Sequence, residues 1–263
     1  MPTIKVNEIE MYYEIYGTGK PLILIAGFTC DQSMWAEYVA QLSSHYQIIL
    51  FDNRGSGQTS SPEEPYTIKM MADDTAGLLK ALHISQCYAV GHSMGAMILQ
   101  QLCLSYPHLI RKGILANPFA KVPNKWKWNM EWTLKLMAHG INVKLLSEGI
   151  LPWIYSEEFM GDPEKIQNAI ERCLTNLHPQ PLSGMIGQMH ALINGDLRTS
   201  LREIQTPLVV ATGDEDIGFP LFCAELLVEN IPHAELYIFQ GQAHMVVEER
   251  KDEFLELIRD FFE

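Results

Sequence analysis

Basic residues are scarce in this chain. Lys and Arg number 19 against 32 Asp and Glu, a formal net charge of −13 over 263 residues. Nucleic-acid binding depends on Lys and Arg to neutralise phosphates, so this balance argues against DNA or RNA as a general partner. Long apolar runs are missing as well. No stretch approaches the roughly 18 residues that a membrane-spanning helix needs. The opening Met1-Pro2-Thr3-Ile4-Lys5-Val6-Asn7-Glu8 lacks the basic start and apolar core of a secretory signal. Cysteine is sparse: five residues, at 30, 87, 103, 173 and 223, odd in number and without Cys-x-x-Cys spacing. Neither a disulfide framework nor a zinc site is indicated, and a reducing cytoplasm is the expected compartment.

The chain is far from disordered, with 47% hydrophobic residues. Its first half alternates candidate strands (Glu10–Tyr16, Pro21–Gly27, Gln47–Asp52, Gln86–Gly91 and Gly113–Pro118) with helical patterns. Ile68, Met71, Ala72, Thr75, Leu78, Leu79 and Leu82 recur at three- and four-residue steps, the spacing of a helix with one buried face. Short apolar strands alternating with amphipathic helices predict a mostly parallel, doubly wound α/β sheet covered on both sides. The alternation stops between Ala120 and Thr199. That stretch is helix-like, rich in Trp and Met, and broken at Gly140, Gly149, Pro152, Gly161-Asp162-Pro163 and Pro179-Gln180-Pro181. Strand–helix alternation resumes at Pro207.

Gly91-His92-Ser93-Met94-Gly95 joins the apolar run Cys87–Val90 to the helical run Ala96–Leu102. A serine between glycines at a strand-to-helix corner is a nucleophile elbow: the tight turn lifts the hydroxyl clear of the backbone, and bulk two residues to either side would clash. Two further strands end in suitable partners. Leu208–Thr212 runs into Gly213-Asp214-Glu215-Asp216, and Glu235–Phe239 into Gly241-Gln242-Ala243-His244. Serine, acid, histidine is the chain order of one known hydrolase fold.

With these blocks, together with Leu22–Phe28 and Phe51–Gly57, the chain resembles the α/β-hydrolases of the esterase and lactonase type over essentially its whole length. Small-lactone hydrolases such as 3-oxoadipate enol-lactonase and the methyl esterases of pimeloyl-carrier-protein esters are similar to it. The resemblance implies an α/β-hydrolase core of residues 1–119 and 200–263, with a helical cap, 120–199, inserted after the sixth strand. It implies hydrolysis of an ester or lactone through an acyl-serine, with Ser93 as nucleophile and His244 as base. Asp214 and Asp216 compete as the acid, and the resemblance selects Asp216. The oxyanion would be held by the backbone N–H groups of Phe28 and Met94. Relatives often carry histidine before the glycine of that loop, where this chain has Ala26. A small-molecule receptor on the same scaffold is the alternative of another class.

Other candidates are weaker. His92 neighbours the nucleophile on a sharp turn and is expected to be structural, with Arg54 tying its own turn to nearby loops. The remaining histidines form no His-Glu-x-x-His set, so no metal is expected, and no feature calls for a cofactor. Two stripes run along the first insert helix: Trp126, Met130, Leu134, Met137 and Ile141, and Trp128, Trp132 and Leu136. Either both are packing surfaces or the second lines an acyl pocket over Ser93, with Trp128, Trp132 and Leu136 as its wall. Between Arg111 and Ile150 there are seven basic residues (Arg111, Lys112, Lys121, Lys125, Lys127, Lys135 and Lys144) against Glu131 and Glu148. Such a face either is merely solvated or steers an acidic acyl carrier protein to the site.

Overall fold

Apolar residues alternate between two destinations along the central strands, and this organises the molecule. In the computed structural model, which describes residues 2–263, eight strands form one sheet. They are β1 (Thr3–Val6), β2 (Ile9–Tyr16), β3 (Lys20–Ile25), β4 (Tyr46–Phe51), β5 (Cys87–His92), β6 (Ile110–Ala116), β7 (Leu208–Gly213) and β8 (Ala234–Phe239). Their spatial order is β1-β2-β4-β3-β5-β6-β7-β8. Pairing is parallel from β4 through β8, and β1 and β2 are antiparallel additions at one edge.

Ile23, Ile25, Ala89, Leu115, Leu208 and Val210 point to one face of the sheet, whereas Leu22, Leu24, Tyr88, Val90, Ile114, Val209 and Ala211 point to the other. Side chains alternate with period two along a strand, so a strand apolar throughout must be covered on both faces. α2 (Ile68–Ala81), α3 (Met94–Ser105) and α9 (Phe222–Asn230) cover the first face. α1 (Ala36–Leu42), α10 (Val246–Glu249) and α11 (Lys251–Phe262) cover the second. The expected doubly wound, mostly parallel sheet is borne out. Burial of each Leu, Ile or Val contributes roughly 1.5–3 kcal/mol.

Several strand ends fall one to three residues from the sequence reading, and two differences have a local cause. β1 was not anticipated, because four residues with Lys5 among them carry little pattern; it turns onto β2 at Asn7, whose φ is 52°. β6 ends at Ala116 rather than at Pro118, because Asn117 adopts a left-handed φ of 46° and leaves the strand.

Between β6 and β7 lie α4 (Asn124–Ala138), α5 (Val143–Ile154), α6 (Glu157–Met160), α7 (Pro163–Thr175) and α8 (Leu182–Asn194). Two attachments fasten them. α8 lies on the loop after β4: a Cβ on Gly184 would meet the Gly55 carbonyl at 2.0 Å, and Gln188 Nε2 donates to Arg54 O (2.9 Å) and Ser56 Oγ (2.8 Å). At the other side Tyr155, Ser156 and Arg172 bond to Glu248 and Glu249 of α10. No helix among the described residues is long and apolar enough to cross a membrane.

Candidate active site

The elbow is built as its glycines require. Ser93 has φ 55° and ψ −114°, a conformation costly for any side chain and kept only where the surroundings enforce it. Here they do. A Cβ on Gly91 would stand 2.3 Å from the Gly95 carbonyl, and one on Gly95 2.2 Å from that of Ile25. The Ser93 N–H donates to Ala116 O at 2.9 Å, tying the turn to the end of β6. α3 begins at Met94, so the first free N–H groups of that helix, with the positive end of its dipole, face the hydroxyl's surroundings.

The acid and histidine turns meet this corner. His244 Nε2 lies 2.8 Å from Ser93 Oγ, and His244 Nδ1 lies 2.6 Å from Asp216 Oδ2. A carboxylate only accepts, so Nδ1 carries the imidazole proton and donates it to Asp216, which leaves Nε2 to accept from the serine hydroxyl. Asp216 Oδ1 also accepts from Phe219 N (2.8 Å). Asp214 points elsewhere: its Oδ1 accepts from Gly241 N at 2.7 Å, on the exposed side of the turn. Of the two competing acids, Asp216 is the one beside His244. All three side chains are buried, Ser93 at 8% exposure, His244 at 5% and Asp216 at 2%.

The loop after β3 carries Phe28. Asn53 Nδ2 donates to Ala26 O at 3.0 Å, so this loop is held from the end of the neighbouring strand β4. His92 is buried, and its Nε2 donates to the carbonyl of His244 (2.9 Å). Burial, reinforced by the neighbouring His244, pushes the His92 imidazole down to about 3, so it stays neutral. Arg54 is bound to Asp74 of α2 at 2.5 Å and to Glu64 at 3.0 Å, joining its turn to both.

The stripes on α4 require a correction. Trp128 and Trp132 are 67% and 50% exposed and Leu136 is half-buried, so the stripe expected to line a pocket faces outward. The inner stripe is the other one: Trp126 and Met130 are buried, with Leu134 packed beside them. α4 docks on the acid turn, where a Cβ on Gly218 would meet the Trp126 ring at 3.1 Å, and that contact sets the helix's rotation. Trp126 then packs on Phe219 (5.2 Å between ring centroids) and Trp153 (5.8 Å), and Phe219 stacks on the His244 imidazole at 4.8 Å. This aromatic wall was not legible in the sequence, because Phe219 lies in a loop with no periodicity.

The basic residues also prove less concentrated than their spacing suggested. Arg111 and Lys112 begin β6, at the opposite end of the strand from Ser93, and Lys112 donates to Phe261 O. Lys121 pairs with Asp196, Lys127 with Glu131 and Lys144 with Glu148. No cluster of three His, Cys, Asp or Glu suited to a metal ion occurs among the described residues.

Against known proteins, a family model described as alpha/beta hydrolase fold matches residues 20–147. The chain has the α/β-hydrolase fold, and it is an enzyme of the hydrolase class. It is 26% identical over 232 residues to a putative carbamate hydrolase, RutD, of Pantoea ananatis, covering 86% of this chain and 83% of that one. It is 26% identical to 3-oxoadipate enol-lactonase 2 of Acinetobacter baylyi, covering 91% and 88%. The crystal structure of MGS-M2, an alpha/beta hydrolase from a deep-sea metagenome library of the Medee basin, superposes with a TM-score of 0.92 at 27% identity, over 99% of this chain and 97% of that one.

Proposed function

We propose that the protein hydrolyses a small carboxylic ester or lactone through an acyl-serine intermediate. The observation that carries this reading is the continuous relay Ser93 Oγ, His244 Nε2, His244 Nδ1, Asp216 Oδ2, with separations of 2.8 and 2.6 Å. Serine is a weak nucleophile unless a base takes its proton. In the proposed reaction Oγ attacks the substrate carbonyl carbon while its proton passes to His244 Nε2, and Asp216 stabilises the imidazolium. The resulting oxyanion accepts hydrogen bonds from the backbone N–H groups of Phe28 and Met94, each typically worth about 10²–10³ in rate. Collapse expels the alcohol oxygen, which takes the proton from His244. Water then attacks the acyl-enzyme by the same route, releasing the acid and restoring the serine.

In this reading residues 120–199 act as a cap on a core of 1–119 and 200–263. Trp126, Trp153 and Phe219 would form its apolar wall, in place of Trp128, Trp132 and Leu136. A mostly buried Ser93 fits a site that admits substrate by movement of that cap. All five cysteines are free, in keeping with a reducing cytoplasm. The similarity to proteins named enol-lactonase and carbamate hydrolase supports a small acyl substrate over a polymeric one. Docking of an acyl carrier protein would fall to Lys125 and Lys135, the two lysines of α4 without an acidic partner, and one salt-dependence measurement with carrier-linked ester tests it.

The deciding experiment is a panel of esters with graded acyl length and a constant small alcohol, alongside a fluorophosphonate label. Rapid multiple turnover on short acyl esters and labelling at Ser93 are expected. A single slow turnover coupled to a conformational change would instead identify a receptor on a hydrolase scaffold.

A further inference from the structure

Asn117 follows the residue whose carbonyl holds the elbow, and its side chain bonds to both other proposed catalytic turns. The sheet order places β6 between β5, which ends in the elbow, and β7, which ends in the acid turn. Past the end of β6 the ladder continues on both sides. Ala116 O accepts from Ser93 N (2.9 Å), and Asn117 N donates to Ala211 O (2.7 Å). The backbone then turns left-handed at Asn117, a conformation that asparagine tolerates better than most residues. This aims the amide back across the carboxyl edge of the sheet.

Its Nδ2 donates to two acceptors. One is Asp216 Oδ2 at 3.1 Å, the same oxygen that accepts from His244, and the other is the carbonyl of Ala243 at 3.0 Å. Both partners only accept, so the orientation of the amide is forced. Oδ1 is left buried without a partner. The other backbone groups around His244 are held from outside as well. The N–H groups of His244 and Met245 donate to Ile154 O (3.0 and 3.1 Å), and His244 O accepts from His92. Asp214, Asp216 and His244 link the two turns from within; Asn117 is the only side chain among the described residues that bonds to both from outside them.

We infer that Asn117 is a positioning residue that locks Asp216 and the His244 turn into one frame, so that the imidazole keeps its orientation while the proton moves. The inference rests on the serine-hydrolase reading above. A hydrogen bond to a charged group is the stronger kind, so its loss falls on kcat by about 10- to 100-fold.

The test uses the full chain, p-nitrophenyl acetate as substrate, and proton NMR of the His244 Nδ1–H. Asn117→Gly keeps the left-handed backbone accessible and removes both donors. It is expected to lower kcat about 10- to 100-fold with KM within about twofold, and to shift or broaden the far-downfield Nδ1–H resonance. Asn117→Ala likewise withdraws the donor from Asp216 and adds no charge. A carboxylate that loses a hydrogen bond favours the imidazolium more strongly, so the acid limb of kcat/KM should move to higher pH by about half a unit or more. Should the glycine variant fold poorly, this pH shift still decides the matter. Wild-type kcat, resonance and acid limb in the folded variants would overturn the role of Asn117. Ser93→Ala in the same assay separates the two claims: retained turnover there overturns the serine-hydrolase reading itself, whereas its loss beside fully active Asn117 variants overturns only the positioning role.

Discussion

The carboxyl edge of the sheet and the α4–α5 part of the helical segment treat their glycines in opposite ways. At the edge, a Cβ on Gly91, Gly95 or Gly213 would lie 2.3, 2.2 or 2.1 Å from a backbone carbonyl oxygen. In α5 and the turn before it, a Cβ on Gly149 or Gly140 meets nothing within 4 Å, whereas Gly184 of α8 is packed on Gly55 as closely as the edge glycines on their neighbours. Gly213 is in contact with Gln242, so even the distance between the acid turn and the histidine turn is set by two backbones touching. One region is defined by contacts with no slack, the other by side chains resting on its inner face. A motif is readable in the first because each residue type answers a local steric demand. In the second, any of several rotations of a helix would satisfy the same pattern.

The contrast can be broken by substitution, beginning with the largest effect. Ser93→Ala should lower kcat/KM by on the order of 10⁴-fold or more while circular dichroism and Tm stay near wild type. A variant that kept a tenth of the activity would remove Ser93 from the chemistry. The two faces of α4 come next. Trp126→Ala empties a buried site against Phe219 and Trp153 and should cost about 3–5 kcal/mol in urea unfolding. Trp128→Ala, on the exposed face, should change stability by no more than about 0.5 kcal/mol. Equal losses from the two would mean that the helix is rotated from the orientation described.

A pH measurement sharpens the same comparison within the rigid region. His92 is held near 3 in the folded protein against an ordinary value of 6.5. Between those values the unfolded chain binds a proton that the folded one refuses, so stability is lost as the pH falls below 6.5. Asp52 works in the other direction. Burial raises its carboxyl to about 6 from 3.8, so the folded state holds a proton that the unfolded chain has released, and stability falls as the pH rises through that window. Replacing His92 with Gln removes the first contribution only. From pH 7 to pH 5 the wild type should therefore lose about 2 kcal/mol relative to the variant, read from urea midpoints at each pH. Parallel curves would show that His92 titrates normally. The smallest effect is expected from Asp214→Asn, whose carboxyl serves only the exposed Gly241 N–H. Its kcat/KM should stay within about twofold of wild type, whereas Asp216→Asn should lose several orders of magnitude.

Legibility followed the same division. Ser93 and His244 could be named because each lies just past a strand end in the right chain order, whereas the choice of Asp216 over Asp214 came from the resemblance alone. Trp126 and Trp128 could be assigned to stripes but not to faces, since helical spacing relates residues to one another and not to the neighbour they pack against. The seven basic residues looked like one patch because they are close in sequence, yet β6 carries two of them to its far end. Asn117 offered almost no signal: the sequence reading placed it inside the candidate strand Gly113–Pro118, whereas β6 ends at Ala116.

From the order of its residues alone the chain settles the doubly wound sheet, the elbow and the two loops that answer it, because period-two burial and glycine-bounded turns are local consequences of covalent geometry. The tertiary structure alone decides which face of α4 looks inward, that His92 holds the carbonyl behind His244, and that Asn117 reaches two turns at once. Those facts depend on distances between segments remote in sequence, and only packing sets such distances.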